Sequence, residues 1–166
     1  MMHSAQYWID KLRMTAHPEG GWFTETFRDA RTVTAENLKG ESKTYSASTA
    51  IYFLLDDQAF SAFHRIGAAE VWHFYAGTGI TIYSIDHEGN LHSVELGADT
   101  ENGQVLTTTI PAGVWFASKV NREGGYALCG CTVAPGFEFS EFELAVKRDL
   151  LKIYPQHEKV IFDLTL

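Results

Sequence analysis

The stretch Ser61-Ala62-Phe63-His64-Arg65-Ile66-Gly67-Ala68-Ala69-Glu70-Val71-Trp72-His73-Phe74-Tyr75-Ala76-Gly77 sets an imidazole and a carboxylate on either side of a glycine. Gly67 marks a turn, so His64 closes one strand and Glu70 opens the next. In a hairpin both can face one interior. Alternation from Glu70 puts Trp72 and Phe74 on its face and His73 on the other. A carboxylate on an inner face is costly unless it is paired, hydrogen-bonded or wet. A histidine of near-neutral pKa beside it is a general base, with Glu70 orienting the imidazole and stabilising its cation. Tyr52 or Tyr75 would supply a phenol as the partner acid, and the spacing does not choose between them. His64 and Glu70 also make sense as a purely structural pair that satisfies itself.

Other side chains carry two readings each. Trp22, Trp72, Phe74, Trp115 and Phe116 suit either a stacking platform for a planar ligand or core packing. The pocket expected from these patterns contains Tyr52, Trp72, Phe74, Trp115, Phe116 and Cys131. Arg28 and Arg65 suit a ligand carboxylate or phosphate, or surface ion pairs. Cys129 and Cys131 share one face of a strand. Their spacing is neither a zinc knuckle nor a redox motif, which points to free buried thiols and a reducing compartment. In His17-Pro18-Glu19-Gly20-Gly21, Glu19 belongs to a pocket rim or simply to a helix-to-strand turn.

These residues need a scaffold of strands. Ser4 caps a first helix whose apolar face is Ala5, Trp8, Ile9 and Leu12, ending near Met14. Trp22 to Phe27 reads as a strand. Asp29 to Tyr45 is polar and reads as a loop longer than the usual connection. Eight strands follow: Ser48–Leu55, Ala59–Arg65, Glu70–Ala76, Ile80–Asp86, Leu91–Leu96, Gln104–Ile110, Val114–Val120 and Tyr126–Ala134, separated by Gly, Asn, Asp and Pro turns. Short strands at regular spacing predict an all-β sandwich or barrel. Leu150, Leu151, Ile153 and Tyr154 predict a short helix stopped by Pro155, and Val160, Ile161 and Leu164 a last one.

Composition limits the partners. The 166 residues, 45% of them hydrophobic, suit one domain. With 13 Lys+Arg against 21 Asp+Glu, the net charge is −8, which disfavours nucleic-acid polymers and anionic membranes. The opening residues show no basic region followed by an apolar run, and the longest uncharged apolar stretch, Ala50–Leu55, is too short to span a membrane. The expected location is cytoplasmic.

Two of these stretches resemble the paired motifs of the cupin superfamily. His64, Ile66, Glu70 and Gly77 match positions of H-x-H-x(3,4)-E-x(6)-G, and Ile110-Pro111-Ala112-Gly113-Val114-Trp115-Phe116 resembles P-x-G-x-x-H. The blocks 17–21, 48–55, 70–77 and 130–137 look like hallmarks of the DUF985 family, also called cupin 5, over roughly Tyr7 to His157. The resemblance implies a double-stranded β-helix, a jelly-roll barrel like that of the RmlC-type epimerases, with a pocket inside and usually a dimeric state. It implies little about activity. Two of the superfamily's metal-ligand histidines are replaced here, by Ile66 and Phe116, so no metal and no other cofactor is expected. If a metal binds, His64, Glu70 and His73 are its candidate ligands. Metal-free sugar-nucleotide epimerases of this fold use a His base and a Tyr acid, an analogy at the level of fold.

The resulting expectation is a single all-β domain over 1–166, a double-stranded β-helix with a short N-terminal helix and short C-terminal helices. It would bind a small polar metabolite, such as a sugar or nucleotide derivative, with metal-independent isomerase or epimerase chemistry through His64 and Glu70. The alternatives are a metal-dependent enzyme with a non-standard third ligand, and a non-catalytic binding module. A homodimer is expected, with the Trp22–Phe27 strand at its interface.

Overall fold

The computed structural model describes residues 3–166; Met1 and Met2, which open the chain in the leader reading, lie outside the described residues. Helix α1 (Ala5–Leu12) starts where the Ser4 hydroxyl accepts from the Tyr7 N–H at 3.1 Å. It stops at Arg13, in the left-handed conformation. The strands are β1 (Thr15–Ala16), β2 (Trp22–Arg28), β3 (Thr32–Glu36), β4 (Ser42–Ser46), β5 (Thr49–Asp56), β6 (Phe60–Arg65), β7 (Ala69–Gly77), β8 (Ile80–Ile85), β9 (Leu91–Leu96), β10 (Thr107–Ile110), β11 (Trp115–Val120), β12 (Tyr126–Ala134) and β13 (Glu143–Leu144). Helices α2 (Lys147–Ile153) and α3 (Glu158–Asp163) follow, with Pro155 between them.

Two antiparallel sheets face each other. One has the order β1-β2-β5-β12-β7-β10, the other β13-β6-β11-β8-β9. Side chains of both inner faces, among them Phe53, Leu55, Trp72, Ile80, Ile82, Phe116 and Cys129, form the central core. This is the all-β sandwich expected from the strand spacing, in the jelly-roll form that the cupin resemblance implies. Outer faces are covered as well. Helices α2 and α3 bury Phe63, Ile85, Trp115 and Ala117 of the five-stranded sheet. Helix α1 covers Leu54, Tyr126 and Leu128 at one end of the six-stranded sheet. Alternation on β5 therefore sends Phe53 and Leu55 into the barrel and Leu54 under α1, burying all three.

The structure corrects the polar segment 29–45. It is no irregular loop but the hairpin β3–β4, pairing Thr34 with Thr44 and Val33 with Tyr45. Its turn is closed by Asn37, whose Oδ1 accepts from the Lys39 and Glu41 N–H groups at 2.9 Å, with Gly40 at φ +75°. Thr-rich alternation suits a strand even where little is buried. The Gln104–Ile110 strand shortens to β10, preceded by a 3-10 turn over Thr100–Asn102.

Candidate functional site

The hinge between α1 and β2 builds the site. His17 N–H donates to Gly21 C=O and Gly20 N–H to His17 C=O, both at 3.0 Å, closing a tight turn. Gly20 and Gly21 have φ of +111° and +74°. A Cβ on Gly20 would collide with the Phe60 carbonyl, and one on Gly21 would stand 2.7 Å from the Leu54 carbonyl. The turn is thus pressed against β5 and β6, and Glu19, which precedes it, points into the barrel. The Ala62 N–H fixes the Glu19 carbonyl at 2.8 Å.

Inside, Glu19 meets His64. Glu19 Oε2 lies 3.0 Å from His64 Nε2 and 3.3 Å from His17 Nδ1, while the Ser61 hydroxyl donates to Oε1 at 2.7 Å. His64 Nδ1 sits 2.7 Å from the Ala62 carbonyl. A carbonyl only accepts, so Nδ1 carries a hydrogen. The Nε2 contact with Glu19 then needs one shared proton. Burial places it: His64 is lowered to about 3. Glu19 is raised well above its ordinary value, by burial first and then, against the Ser61 bond, by the nearby charge of Glu70. Glu19 therefore carries the proton and donates it to neutral His64. Burial likewise lowers His17 to about 4, so its ring is neutral as well.

Glu70 enters from β7, opposite Ile110 and Val133. Burial raises it to about 7, opposed by the Cys131 thiol and the Trp72 indole. The Trp72 Nε1 is buried and makes no hydrogen bond of ordinary geometry. Together with Phe23, Phe137, Phe139 and Phe142, these groups surround a cavity of about 630 Å³, its open mouth included.

The residues singled out from sequence divide as follows. His64, Glu70, Trp72 and Cys131 line this cavity. Phe74 and Phe116 point inward but pack in the barrel core, the Phe116 ring centroid 4.1 Å from that of His64. Trp115 is on the outer face under the C-terminal helices, with the Arg65 guanidinium 4.6 Å from its ring centroid. Tyr52 and Tyr75 lie edge to face at 5.8 Å on the outer face of the six-stranded sheet, where Tyr75 is half exposed. No tyrosine lines the cavity. His64 and Glu70 share the cavity, but the carboxyl bonded to the imidazole is Glu19. The sequence pattern places Glu19 equally well at a rim or in a turn and carries no separate signal for His17. The paired glycines after Glu19 are the signal, since a turn that only glycine can make packs its neighbour tightly against the sheet.

Residues 6–145 match the family described as Cupin superfamily (DUF985). The chain belongs to that family. An uncharacterized protein of Saccharomyces cerevisiae is 32% identical over 162 residues, covering 90% of this chain and 79% of its own. A Shewanella oneidensis protein of solved structure is 37% identical with a TM-score of 0.88, covering 99% of both chains. A hypothetical protein from Leishmania major is 33% identical with a TM-score of 0.89, covering 98% of this chain and 99% of its own.

For a cupin, the metal position is the natural question, and the side chains here do not fit an ion. Both ring nitrogens of His64 are engaged, by Ala62 and Glu19. Ile66 and Phe116 offer no donor atoms. His73 lies on the other face of β7, its Nε2 3.4 Å from Thr132 Oγ1. Among the described residues, no group of three or more His, Cys, Asp or Glu is placed to hold a metal. Nor is any helix among them long and apolar enough to cross a membrane.

Proposed function

We propose that this DUF985 cupin binds a small polar metabolite in the barrel and moves a proton on it, as a metal-independent isomerase or epimerase does. The observation that carries this reading is the pair of buried carboxyls in one cavity, one of them bonded to His64 at 3.0 Å. Their environments separate their roles. Glu70, at about 7, is ionised in a large share of molecules at neutral pH and is the base. Glu19, held protonated, is the acid. His64 orients the Glu19 carboxyl through its Nε2 contact rather than acting as the base itself, because an imidazole lowered to about 3 is a poor base.

The step balances without an oxidant. Glu70 takes a proton from a carbon next to a carbonyl, and the electron pair moves onto the carbonyl oxygen. Glu19 breaks its hydrogen bond to His64 Nε2 and donates that proton to the oxygen, while His64 keeps its Nδ1 hydrogen on Ala62. Return of one proton to carbon and one to Glu19 gives the isomer and restores the site. Incorporation of solvent deuterium into a panel of hexoses and 2-amino sugars, read by proton NMR, tests this. Exchange into one of them, reduced at least 100-fold in Glu70→Gln and in Glu19→Gln, is the expected result. Ligand binding with no exchange into any bound compound would reduce the protein to a binding module.

Assembly as a homodimer belongs to the same reading. Strand β1 covers β2 only at Trp22 and Phe23, leaving Thr24–Arg28 without a partner on that side. The hairpin β3–β4 forms its own sheet. Phe27 on this stretch is 50% exposed. A second copy adding its edge here removes that liability. Light scattering at micromolar concentration should give twice the 18.6 kDa chain mass; a mass near one chain rejects the dimer.

A further inference from the structure

The charges around the cavity set what it can hold. A second, smaller hollow adjoins the first, sharing Ile66, Val133 and Phe137 as walls, beneath the β3–β4 hairpin. The two are lined by six carboxyl side chains: Glu19, Glu25, Glu36, Glu70, Glu138 and Glu141. Arg28 is the one Lys or Arg that lines either. Its guanidinium is already committed. It donates to both oxygens of Glu25 at 3.1 and 2.9 Å, to Glu138 at 2.8 Å and to the Phe137 carbonyl at 3.1 Å. Nearby Lys43 is bound to Glu141 at 2.8 Å. Among the described residues lining the two hollows, no cation is left over for a ligand phosphate or carboxylate.

Glu70 adds an independent observation. It is 8% exposed, lines the cavity and has no positively charged neighbour acting on it. A carboxyl buried this deeply without a cation is costly to ionise. A ligand that brings the missing charge would offset that cost. The phenyl rings of Phe23, Phe137, Phe139 and Phe142 stand around the approach, with Phe139 and Phe137 centroids 5.0 Å apart. Aromatic faces attract cations and have no such preference for anions. Acidic walls also concentrate cations at the entrance.

We infer that the cavity selects a positively charged small molecule, a protonated amine that sits among the phenylalanines with its charge toward Glu70, and that it excludes phosphorylated and carboxylate ligands. This deepens the reading of the cavity as the ligand site. It narrows the metabolite to an amine-bearing compound and sets aside nucleotide derivatives. It does not depend on turnover.

Three probes of one ring and three charges test it: benzylammonium, benzyl alcohol and benzoate, titrated into the full chain at pH 8 by calorimetry and NMR. The expected result is benzylammonium at least tenfold tighter than benzyl alcohol, with benzoate weaker than both. In Glu70→Gln the advantage of benzylammonium over benzyl alcohol should fall to less than threefold. Should that variant fail to fold, Glu25→Gln at the exposed mouth serves: it removes one of the two carboxylates that neutralise Arg28, leaving Glu138, and benzoate binding should rise relative to benzylammonium. Benzoate binding as tightly as benzylammonium to the natural sequence would overturn the inference. So would unchanged preference in Glu70→Gln, or no binding of any probe at millimolar concentration. Deuterium exchange into a neutral sugar with no cation preference would sink the charge inference and leave the proton-transfer reading standing. Cation preference with no exchange would do the reverse.

Discussion

Glu19→Gln should fold almost as stably as the natural sequence, while Glu19→Ala should lose about 2–4 kcal/mol, the cost of leaving buried polar groups without partners. The difference follows from where the proton sits. Protonated Glu19 donates to His64 Nε2 and accepts from the Ser61 hydroxyl. A glutamine amide reproduces both, with its NH2 toward His64 and its oxygen toward Ser61, so its cost should stay within about 1 kcal/mol. Alanine leaves His64 Nε2 and Ser61 Oγ, both buried, without their carboxyl partner. Urea unfolding of both variants measures this. A glutamine variant as unstable as the alanine one would mean that the carboxyl is charged in the folded protein. The glutamine variant also separates stability from chemistry, since an amide cannot act as the acid.

A second large effect concerns Glu70 and pH. Burial raises its pKa from the ordinary 4.5 to about 7 in the folded chain. The folded state therefore holds this proton more tightly than the unfolded chain does. The contribution is fully present below about pH 4.5 and is lost as pH rises through 7, by about 3 kcal/mol at the limit. Groups around it titrate elsewhere: His17 and His64 have folded values lowered to about 4 and 3, so they cost stability as pH falls below 6.5 and stay constant above it. Burial raises Glu19 well above its ordinary value too, so part of the loss at high pH is its own. Comparing Glu70→Gln with the natural sequence isolates the Glu70 share. From pH 5.5 to 8.5 the variant should gain a few kcal/mol relative to the natural chain. Parallel stability profiles for the two would contradict a raised Glu70.

Much of this architecture was legible from residue order. Strand β9 and strand β12 have the bounds read from their apolar runs, and Pro155 separates the two C-terminal helices. What alternation does not reveal is which face is the inside. Trp115 and Phe116 are both buried, one under α2 and α3 and the other in the barrel, because this sandwich covers its outer faces too. The expected pocket includes Tyr52, yet on β5 its neighbours Ile51 and Phe53 line the cavity instead. One residue of phase decides every side chain on a strand. The β7 bulge adds to this: Cys129 pairs with Phe74 and Leu128 with Ala76, so the alternation slips after Phe74 and Ala76 packs on the outer face under α1.

The site was half legible. His64 and Glu70 do not share the hairpin that their spacing suggests: β6 belongs to the five-stranded sheet and β7 to the six-stranded one, and the short connection at Gly67 crosses between the two facing sheets, so both side chains still reach one cavity. Glu19 reaches the same place from a segment more than forty residues earlier, through a turn whose packing against Phe60 and Leu54 is a tertiary contact. Spacing rules see neighbours along the chain and cannot see that approach. The Asp29–Tyr45 segment failed for a different reason. Its strands expose most of both faces, so hydrophobic periodicity is missing, and only Thr content and the Asn37–Gly40 turn mark it as a hairpin.

The shared proton between Glu19 and His64 is the centre of the account, and nitrogen-15 NMR of the His64 ring observes it directly. The signals are assigned by their absence in His64→Asn. Between pH 5 and pH 8 His64 should remain a neutral ring with its hydrogen on Nδ1 and a bare, hydrogen-bonded Nε2, and it should show no titration near 6.5. A ring carrying hydrogen on both nitrogens at pH 7, or one with hydrogen on Nε2 and a bare Nδ1, would contradict the account.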